Sequence, residues 1–313
     1  MKNRSLWSVV LCAVAGLAMT VSAAPEDVGY APPDTNLIVR VNGPRICRSQ
    51  VFAQLRKASR FARIEKDTRS DLAKLGLTID DLLDTDIFVF FFIDSGGSDN
   101  VAQPRFNMVA RSGKPLADTA LAWLDAQIEP GDWRTFDKKP VDGRKARVLR
   151  DEVTSLAVIE LEKDLVQYSM NTKCAALTRR PPVAFAGFMA PDAMLSVACR
   201  MDEVADAEFC RRLPPEYAQF SQFFVGLRTA AVNILDGGDR IRIDAELAYS
   251  DVERAKMVTS QLNGMLFALM LSLSDKEPEK VAVLRKLRIT FRERKVVISF
   301  SCRNDELGHA IAE

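Results

Sequence analysis

The chain has 313 residues, with 43 Lys and Arg against 42 Asp and Glu and a net charge of +1. Such a near-neutral balance lacks the electrostatic footprint of a protein that binds nucleic acid or an acidic membrane surface. Hydrophobic residues make up 48% of the chain, an ordinary share for a globular protein, and the length allows one large domain or two small ones.

Residues 1–23 have the features of a secretory signal peptide. Lys2 and Arg4 form a positive start, residues 6–19 form an uncharged apolar run, and small residues follow. The run is short for a membrane anchor, which needs about 20 apolar residues. We therefore expect cleavage after Ala23, export to the periplasm or the extracellular space, and a mature chain without a transmembrane segment.

The first half of the mature chain, residues 24–180, predicts the element order β-α-β-β-α-β-β. Its strands are expected at residues 36–41, 87–93, 105–111, 156–161 and 165–170. Helical regions are expected at residues 49–76 and after Ser112. The final strand pair encloses a polar turn at residues 162–164.

The second half, residues 181–313, predicts the same order. Its strands are expected at residues 194–199, 227–235, 240–249, 287–291 and 296–302, and its helical regions at residues 202–224 and after Ser250. Two glycines at residues 237–238 indicate a hairpin turn, because glycine tolerates positive φ. Ser250 and Glu253 have the spacing of a capping box at the start of the second helix.

The two halves read as copies of one plan. Residues 156–170 align without a gap on residues 287–301, so that Glu162 falls on Glu293. The first six elements of each half follow the split-βαβ order of ferredoxin-like domains. We therefore predict an α+β fold of two tandem halves with mainly antiparallel sheets and helices on one face. The alternative is one continuous α+β domain whose two ends look alike by chance.

The strand at residues 87–93 is apolar on both faces, so both of its faces require a cover. Three candidates for this cover are the second half of the chain, the segment at residues 130–150, and a partner. We expect an intramolecular cover, since burial is the usual fate of such runs.

The cysteine count limits disulfide bonding. Cys47, Cys174, Cys199, Cys210 and Cys302 follow the predicted cleavage site. Five is an odd number, so at least one cysteine is unpaired or pairs between chains. Only Cys199 and Cys210 are close in sequence, and we expect them to lie too far apart to bridge, at a strand end and two turns into a helix.

Part of the sequence resembles a group of known proteins. The unit of strand, Gly-Gly turn, strand and helix, with Glu253 and Ala255 at the helix start, is similar to exported bacterial proteins without an assigned function. Residues 74–82, with the sequence KLGLTIDDL, look like the same proteins. The resemblance implies a compartment and an architecture, and it brings no activity, ligand or site residue with it.

Few residues are candidates for catalysis. His309 is the single histidine and lies near the C-terminus, where chains are usually poorly ordered. Catalytic triads need a base held within hydrogen-bond reach of the nucleophile, so they are not expected. The cysteines lack the close pairing of zinc motifs, and no phosphate-loop, dinucleotide-binding or nucleophile-elbow motif is present.

Two oxygen-rich segments were candidates for metal binding or acid–base chemistry. Residues 94–100 lack the alternating acids and terminal Glu of an EF-hand loop, and a hairpin connection explains them better. The aspartates before the next predicted strand are expected to cap a short helix and face its dipole: Asp80, Asp81, Asp84 and Asp86. We therefore predict no catalytic residue, cofactor or metal site.

Two surfaces are candidates for binding. Arg240, Arg242 and Arg288 are predicted to share a charged sheet face that contacts a partner. Met257, Met265 and Met270 lie in a long apolar helix that either lines an apolar pocket or is buried between a sheet and another domain. The leading hypothesis is a non-enzymatic exported envelope protein, acting as a binding or structural module. The alternatives are a carrier of an apolar ligand, lipid or peptide, and a hydrolase with an unrecognised site.

Overall fold

Twelve strands form one continuous sheet in the computed structural model, and every neighbouring pair is antiparallel. The structure describes residues 25–55, 78, 81, 83–92, 105–126, 135–151, 154–172, 174–180, 184–201 and 221–311. The predicted signal peptide, Cys210 and the loop at residues 94–100 lie outside the described residues, as do most of the two helical regions predicted at residues 49–76 and 202–224.

The strands are β1 (Leu37–Asn42), β2 (Thr85–Phe92), β3 (Arg105–Ser112), β4 (Thr135–Asp137), β5 (Ala146–Arg150), β6 (Ser155–Glu162), β7 (Leu165–Met170), β8 (Leu195–Arg200), β9 (Leu227–Asp236), β10 (Arg240–Tyr249), β11 (Arg288–Arg292) and β12 (Lys295–Arg303). The α-helices are α1 (Gly43–Arg48), α2 (Gln50–Leu55), α3 (Ala117–Ala126), α4 (Ser221–Phe224), α5 (Val252–Leu273), α6 (Pro278–Leu284) and α7 (Asn304–Ile311), and two 3-10 helices span Pro25–Tyr30 and Ala184–Phe188.

All ten strands predicted from the sequence are confirmed, each within two residues of its expected ends. The alternation that predicted them reflects burial: Ile241 is buried on β10, whereas its neighbours Arg240 and Arg242 are exposed. The hairpin turn before β10 is also confirmed, with Gly238 at a φ of 84°. The short strands β4 and β5 were not predicted.

The strand order is β11-β12-β10-β9-β8-β1-β2-β3-β7-β6-β5-β4. From the central β1–β8 pair outward, the strands of the first half follow the order β1-β2-β3-β7-β6, and those of the second half follow the order β8-β9-β10-β12-β11. The β6–β7 hairpin, which contains Glu162, and the β11–β12 hairpin, which contains Glu293, therefore occupy equivalent places. The two halves share one sheet, because β1 pairs with β8 across the expected boundary.

The ferredoxin-like strand order is not confirmed. In a split-βαβ unit the third strand lies between the first two, which are parallel. Here β1 pairs directly with β2, and β8 with β9, and both pairs are antiparallel. A βαβ crossover joins two parallel strands. Because β1 and β2 are antiparallel, the connection between them is not such a crossover.

Helices cover one face of the sheet. Leu121 and Leu124 of α3 pack against Val158 and Val166, and α5 packs on β12 through Ala255 and its neighbours. Helices α1 and α2 contribute Ile46 and Phe52, and α6 and α7 contribute Val283 and Leu307, to a third cluster on the same face.

The opposite face of the first half is covered by irregular segments, so the expected intramolecular cover is confirmed. Val28, Tyr30, Phe185 and Met189 pack on Ile38, Phe88 and Phe90. The cover therefore comes mainly from the two 3-10 helical segments, and β5 adds Ala146 and Val148 to the same cluster.

Several local predictions are corrected. The N-cap of α5 is Asp251, whose Oδ1 accepts the N–H of Arg254 at 2.7 Å, while Ser250 donates its hydroxyl to Asp251 Oδ2. His309 belongs to α7, which packs against α2 and α6, and does not lie in an irregular tail.

Among the described residues, no two cysteines form a disulfide.

Candidate functional site

No described segment covers the second face of the sheet over β10, β11 and β12. The side chains of this open face come from alternate positions on the three strands, and we call them the arginine face: Arg240, Arg242, Asp244, Arg288, Ser299 and Ser301. All three arginines are exposed, and both serines are half-buried between them. The structure thus brings together on one face the three arginines that the sequence predicted as a contact surface.

Strand register fixes the spacing of these side chains. Arg288 lies opposite Ser299, and Ser299 lies opposite Asp244 on its other side. Arg242 lies opposite Ser301 in the next row of the same face. Because neighbouring strands are about 4.8 Å apart, Arg288 and Asp244 are separated by about 10 Å at the backbone.

The three arginines differ in their partners. Arg242 Nε donates to Asp244 Oδ2 at 2.7 Å, and this hydrogen bond raises the pKa of Arg242. Arg240 Nε donates to Ser301 Oγ at 3.2 Å. No carboxylate of the described residues lies within ion-pair distance of Arg288. Two guanidinium groups, those of Arg240 and Arg288, therefore remain available for an incoming carboxylate.

The border of the open face lies at β9. Asn233 Oδ1 accepts hydrogen bonds from the N–H of Ala190 at 2.9 Å and from the hydroxyl of Ser196 at 2.7 Å. These bonds tie the segment after the 3-10 helix at Ala184–Phe188 to the sheet at β8 and β9. Beyond Asn233 the same face carries Asp244 and the arginines, so the polar side chains begin where the cover ends.

The methionine-bearing helix α5 is exposed along much of its length. Met257 and Met265 keep 38% and 44% of their surface accessible, whereas Met270 is half-buried. At about 100° per residue, Met265 and Met270 point about 140° apart around the helix. The structure therefore does not gather the three methionines on one side of the helix.

The second part of α5 extends past the edge of the sheet. The side-chain amide of Asn263 donates to the carbonyl oxygen of Ile289 on the edge strand β11 at 3.1 Å. No residue from Asn263 to Leu273 is buried, and residues 257–274 contain no Asp, Glu, Lys or Arg. The projecting part is thus an uncharged apolar helix in contact with water.

A cleft of about 420 Å³ lies within the first half of the chain. It is lined by residues 30–34, by Phe92 of β2, by Arg105 and Asn107 of β3, and by residues 172, 175–178 and 180. The guanidinium of Arg105 stacks over the ring of Phe92, 5.6 Å from its centroid, and Arg180 also lines the cleft. No local motif indicated this cleft, because its wall is assembled from three distant parts of the chain.

Beneath the N-terminal segment lie buried charges. Asp27, only 1% exposed, accepts two hydrogen bonds from Arg111, at 2.8 and 3.1 Å, and one from Arg179 at 3.2 Å. A buried carboxylate is stable only with charged or hydrogen-bonding partners, and Arg111 of β3 is such a partner for Asp27. These ion pairs therefore hold the short 3-10 helix at Pro25–Tyr30 on the sheet.

Two of the aspartates that precede β2 in the sequence prediction, Asp81 and Asp86, have different roles in the structure. Asp81 caps a turn as expected: its Oδ2 accepts the N–H and the hydroxyl of Thr78, and these bonds lower the pKa of Asp81. Asp86 does not cap a helix. It lies in β2 with 4% of its surface exposed, and burial raises its pKa to about 7 although the charge of Arg40 opposes the shift.

Within the described ranges, no three His, Cys, Asp or Glu side chains form a group that could hold a metal ion. None of the helices in those ranges combines the length and apolar character of a membrane span.

Comparison with known proteins identifies no family. No protein-family model and no curated protein matches the chain. Solved structures of a protein named TP0453 are similar over most of their length. Crystal form III is 10% identical, covers 91% of this chain and 97% of that chain, and has a TM-score of 0.41. Crystal form I is 8% identical, covers 93% and 98%, and has a TM-score of 0.42.

Proposed function

We propose that the protein is an exported, non-enzymatic binding module of the cell envelope, and that it engages an acidic partner protein through the arginine face. The single observation that carries this proposal is the unequal cover of the sheet. The outer face of the first half is buried under the chain's own segments, whereas the equivalent face over β10 to β12 is open.

The chemistry of the arginine face fits a partner that presents carboxylates. A guanidinium group donates two parallel hydrogen bonds to one carboxylate, and its plane also stacks on aromatic rings. Arg242 already bonds Asp244, so Arg240 and Arg288 are the groups that receive the partner. Asp244 holds Arg242 in place and rejects a second carboxylate at that point, which gives the surface a pattern that a partner must match.

The alternative of an apolar carrier is favoured by one observation, the exposure of Met257 and Met265 on the uncharged part of α5. A carrier encloses most of its ligand in a concave site, however, and these two side chains lie on a convex surface. Bound lipid in native mass spectra of protein purified from the envelope would favour the carrier. The hydrolase alternative gains nothing from the cleft, whose wall includes neither Asp27 nor Asp86.

The test replaces Arg240, Arg242 and Arg288 together with Gln. These residues face water, so the variant should keep the circular dichroism spectrum and melting temperature of the unchanged protein. The yield of the partner after mild crosslinking in the envelope should fall at least about tenfold, because charged contacts of this kind contribute more than 1.4 kcal/mol together.

The matched control carries the same change of charge in the first half, as Lys114→Gln, Lys138→Gln and Lys145→Gln. These lysines are also exposed, with accessible side-chain fractions of 74%, 59% and 64%. The control should retain the crosslinked partner. Equal yields from the two folded triple variants would contradict the proposed binding surface.

A further inference from the structure

Helix α5 carries a second apolar stripe on the side away from the sheet. We call the following residues the outer stripe: Met257, Gly264, Phe267, Ala268 and Leu271. At about 100° per residue they fall within an arc of about 100°, and all five are exposed. The side chains that pack on the sheet, such as Val258 and Leu262, lie on the opposite side of the same helix.

A helix that is apolar on both sides is normally covered on both sides. Phe267 and Leu271 retain 60% and 59% of their surface, and the described residues provide no cover for them. With about 200 Å² for a large apolar side chain, the exposed parts of Met257, Phe267 and Leu271 amount to roughly 300 Å². A standard protein interface buries about 800 Å² per partner, so these three side chains supply more than a third of one.

The charge pattern of α5 selects the kind of partner. Helices that lie on membranes carry Lys and Arg along a polar face, and residues 257–274 have none. A charged peptide would find no opposite charge on the stripe. A second copy of α5 meets no like charge over this length, and in an antiparallel arrangement the dipoles of the two helices favour each other.

The shape of the outer stripe also suits a helix. Gly264 and Ala268 are one turn apart, and a Cβ at Gly264 would meet no atom within 4 Å. Small residues at this spacing let two helix backbones approach closely, while Phe267 and Leu271 fill the space beside them. Symmetric dimers use the same patch on both subunits, and a patch without charge is complementary to itself.

We propose that two copies of the chain associate through their outer stripes, with the α5 helices antiparallel about a two-fold axis. Helix α5 and the arginine face lie on opposite faces of the sheet, so the dimer leaves both arginine faces accessible. A partner with two acidic sites would then be bound twice, with a gain in avidity and no new contact. The dimer does not depend on the proposed function, because it uses other residues.

Sedimentation velocity of the mature chain over micromolar concentrations tests the proposal. The unchanged protein should sediment as a species of twice the monomer mass. Phe267→Glu with Leu271→Glu should give a monomer with an unchanged melting temperature, since both side chains face water. Val225→Glu is the matched control: Val225 is 48% exposed, lies outside α5, and should leave the dimer intact.

A second variant separates helix pairing from unspecific apolar association. Ala268→Leu adds apolar surface but blocks the close approach of two helices, so the dissociation constant of the dimer should rise at least about tenfold. Tighter association of this variant would overturn the proposal. A monomer at all concentrations would also overturn it, and flotation of that monomer with phosphatidylcholine vesicles would assign the stripe to lipid.

Discussion

Asp86 makes the stability of the protein depend on pH in an unusual direction. Its carboxyl group lies in β2 and receives one hydrogen bond, from the side-chain amide of Asn42 at 3.3 Å. Its Oδ1 has no hydrogen-bond partner among the described residues. Burial, helped by the charge of Asp27, outweighs the attraction of Arg40 and raises the pKa of Asp86 to about 7.

The sign of the effect follows from proton linkage. The unfolded chain has an aspartate pKa of about 3.9, so between pH 4 and pH 7 the folded state binds a proton that the unfolded state has lost. The stabilising contribution of protonated Asp86 is complete below about pH 4 and is lost as the pH rises through 7. Three pKa units correspond to about 4 kcal/mol of unfolding free energy.

The variant Asp86→Asn removes the ionisation and retains an oxygen that can accept the hydrogen bond of Asn42. Urea unfolding should show a free energy close to that of the unchanged protein at pH 4. At pH 8 the variant should be more stable by up to about 4 kcal/mol. Asp118→Asn, at a side chain that is 84% exposed, is the control and should shift neither value. If the difference between Asp86→Asn and the unchanged protein were the same at both pH values, the reasoning would be refuted.

Two further predictions concern the start of the mature chain and the start of α5. N-terminal sequencing of the protein purified from its host should begin Ala24-Pro25-Glu26, and a full-length chain retained in the inner membrane would contradict the signal peptide. Asp251→Ala should lower the unfolding free energy by about 1 kcal/mol, because the side chain accepts the N–H of Arg254. Ser250→Ala should cost less than Asp251→Ala in the same urea titration, and the reverse ranking would show that Ser250 is the cap.

The strands were predictable because their signal is local. On β10 an apolar residue alternates with a charged one, and the two glycines before Arg240 mark the turn. The same alternation predicts that Arg240 and Arg242 lie on one face. The strand order was not predictable in this way, because the pairing of β1 with β8 joins residues far apart in the chain.

The failures have physical reasons as well. Helix α6 was not predicted between α5 and β11, although Pro278 begins it and proline is favoured in the first turn of a helix. The apolar run from Met265 to Leu271 has no periodicity, so the sequence did not indicate which of its side chains face the sheet. Asp86 was grouped with three nearby aspartates because β2 begins two residues before its predicted start.

The difference between the two halves of the sheet follows from the segments that precede them. The segment at residues 25–36 leads into β1, and the described residues between β7 and β8 are 171–172, 174–180 and 184–194. Val28 and Tyr30 of the first segment and Phe185 and Met189 of the second lie over the sheet, where they bury Phe88 and Phe90. No described segment is left to cover β10 to β12. Apolar residues there would expose a large patch to water, whereas Arg240 and Arg288 remain solvated without a cover. Polar side chains on this face therefore prevent an exposed apolar patch, whereas their positive charge is what suits the face to an acidic partner. Replacing the arginines with neutral polar side chains removes the charge, keeps the face polar and so separates the two roles.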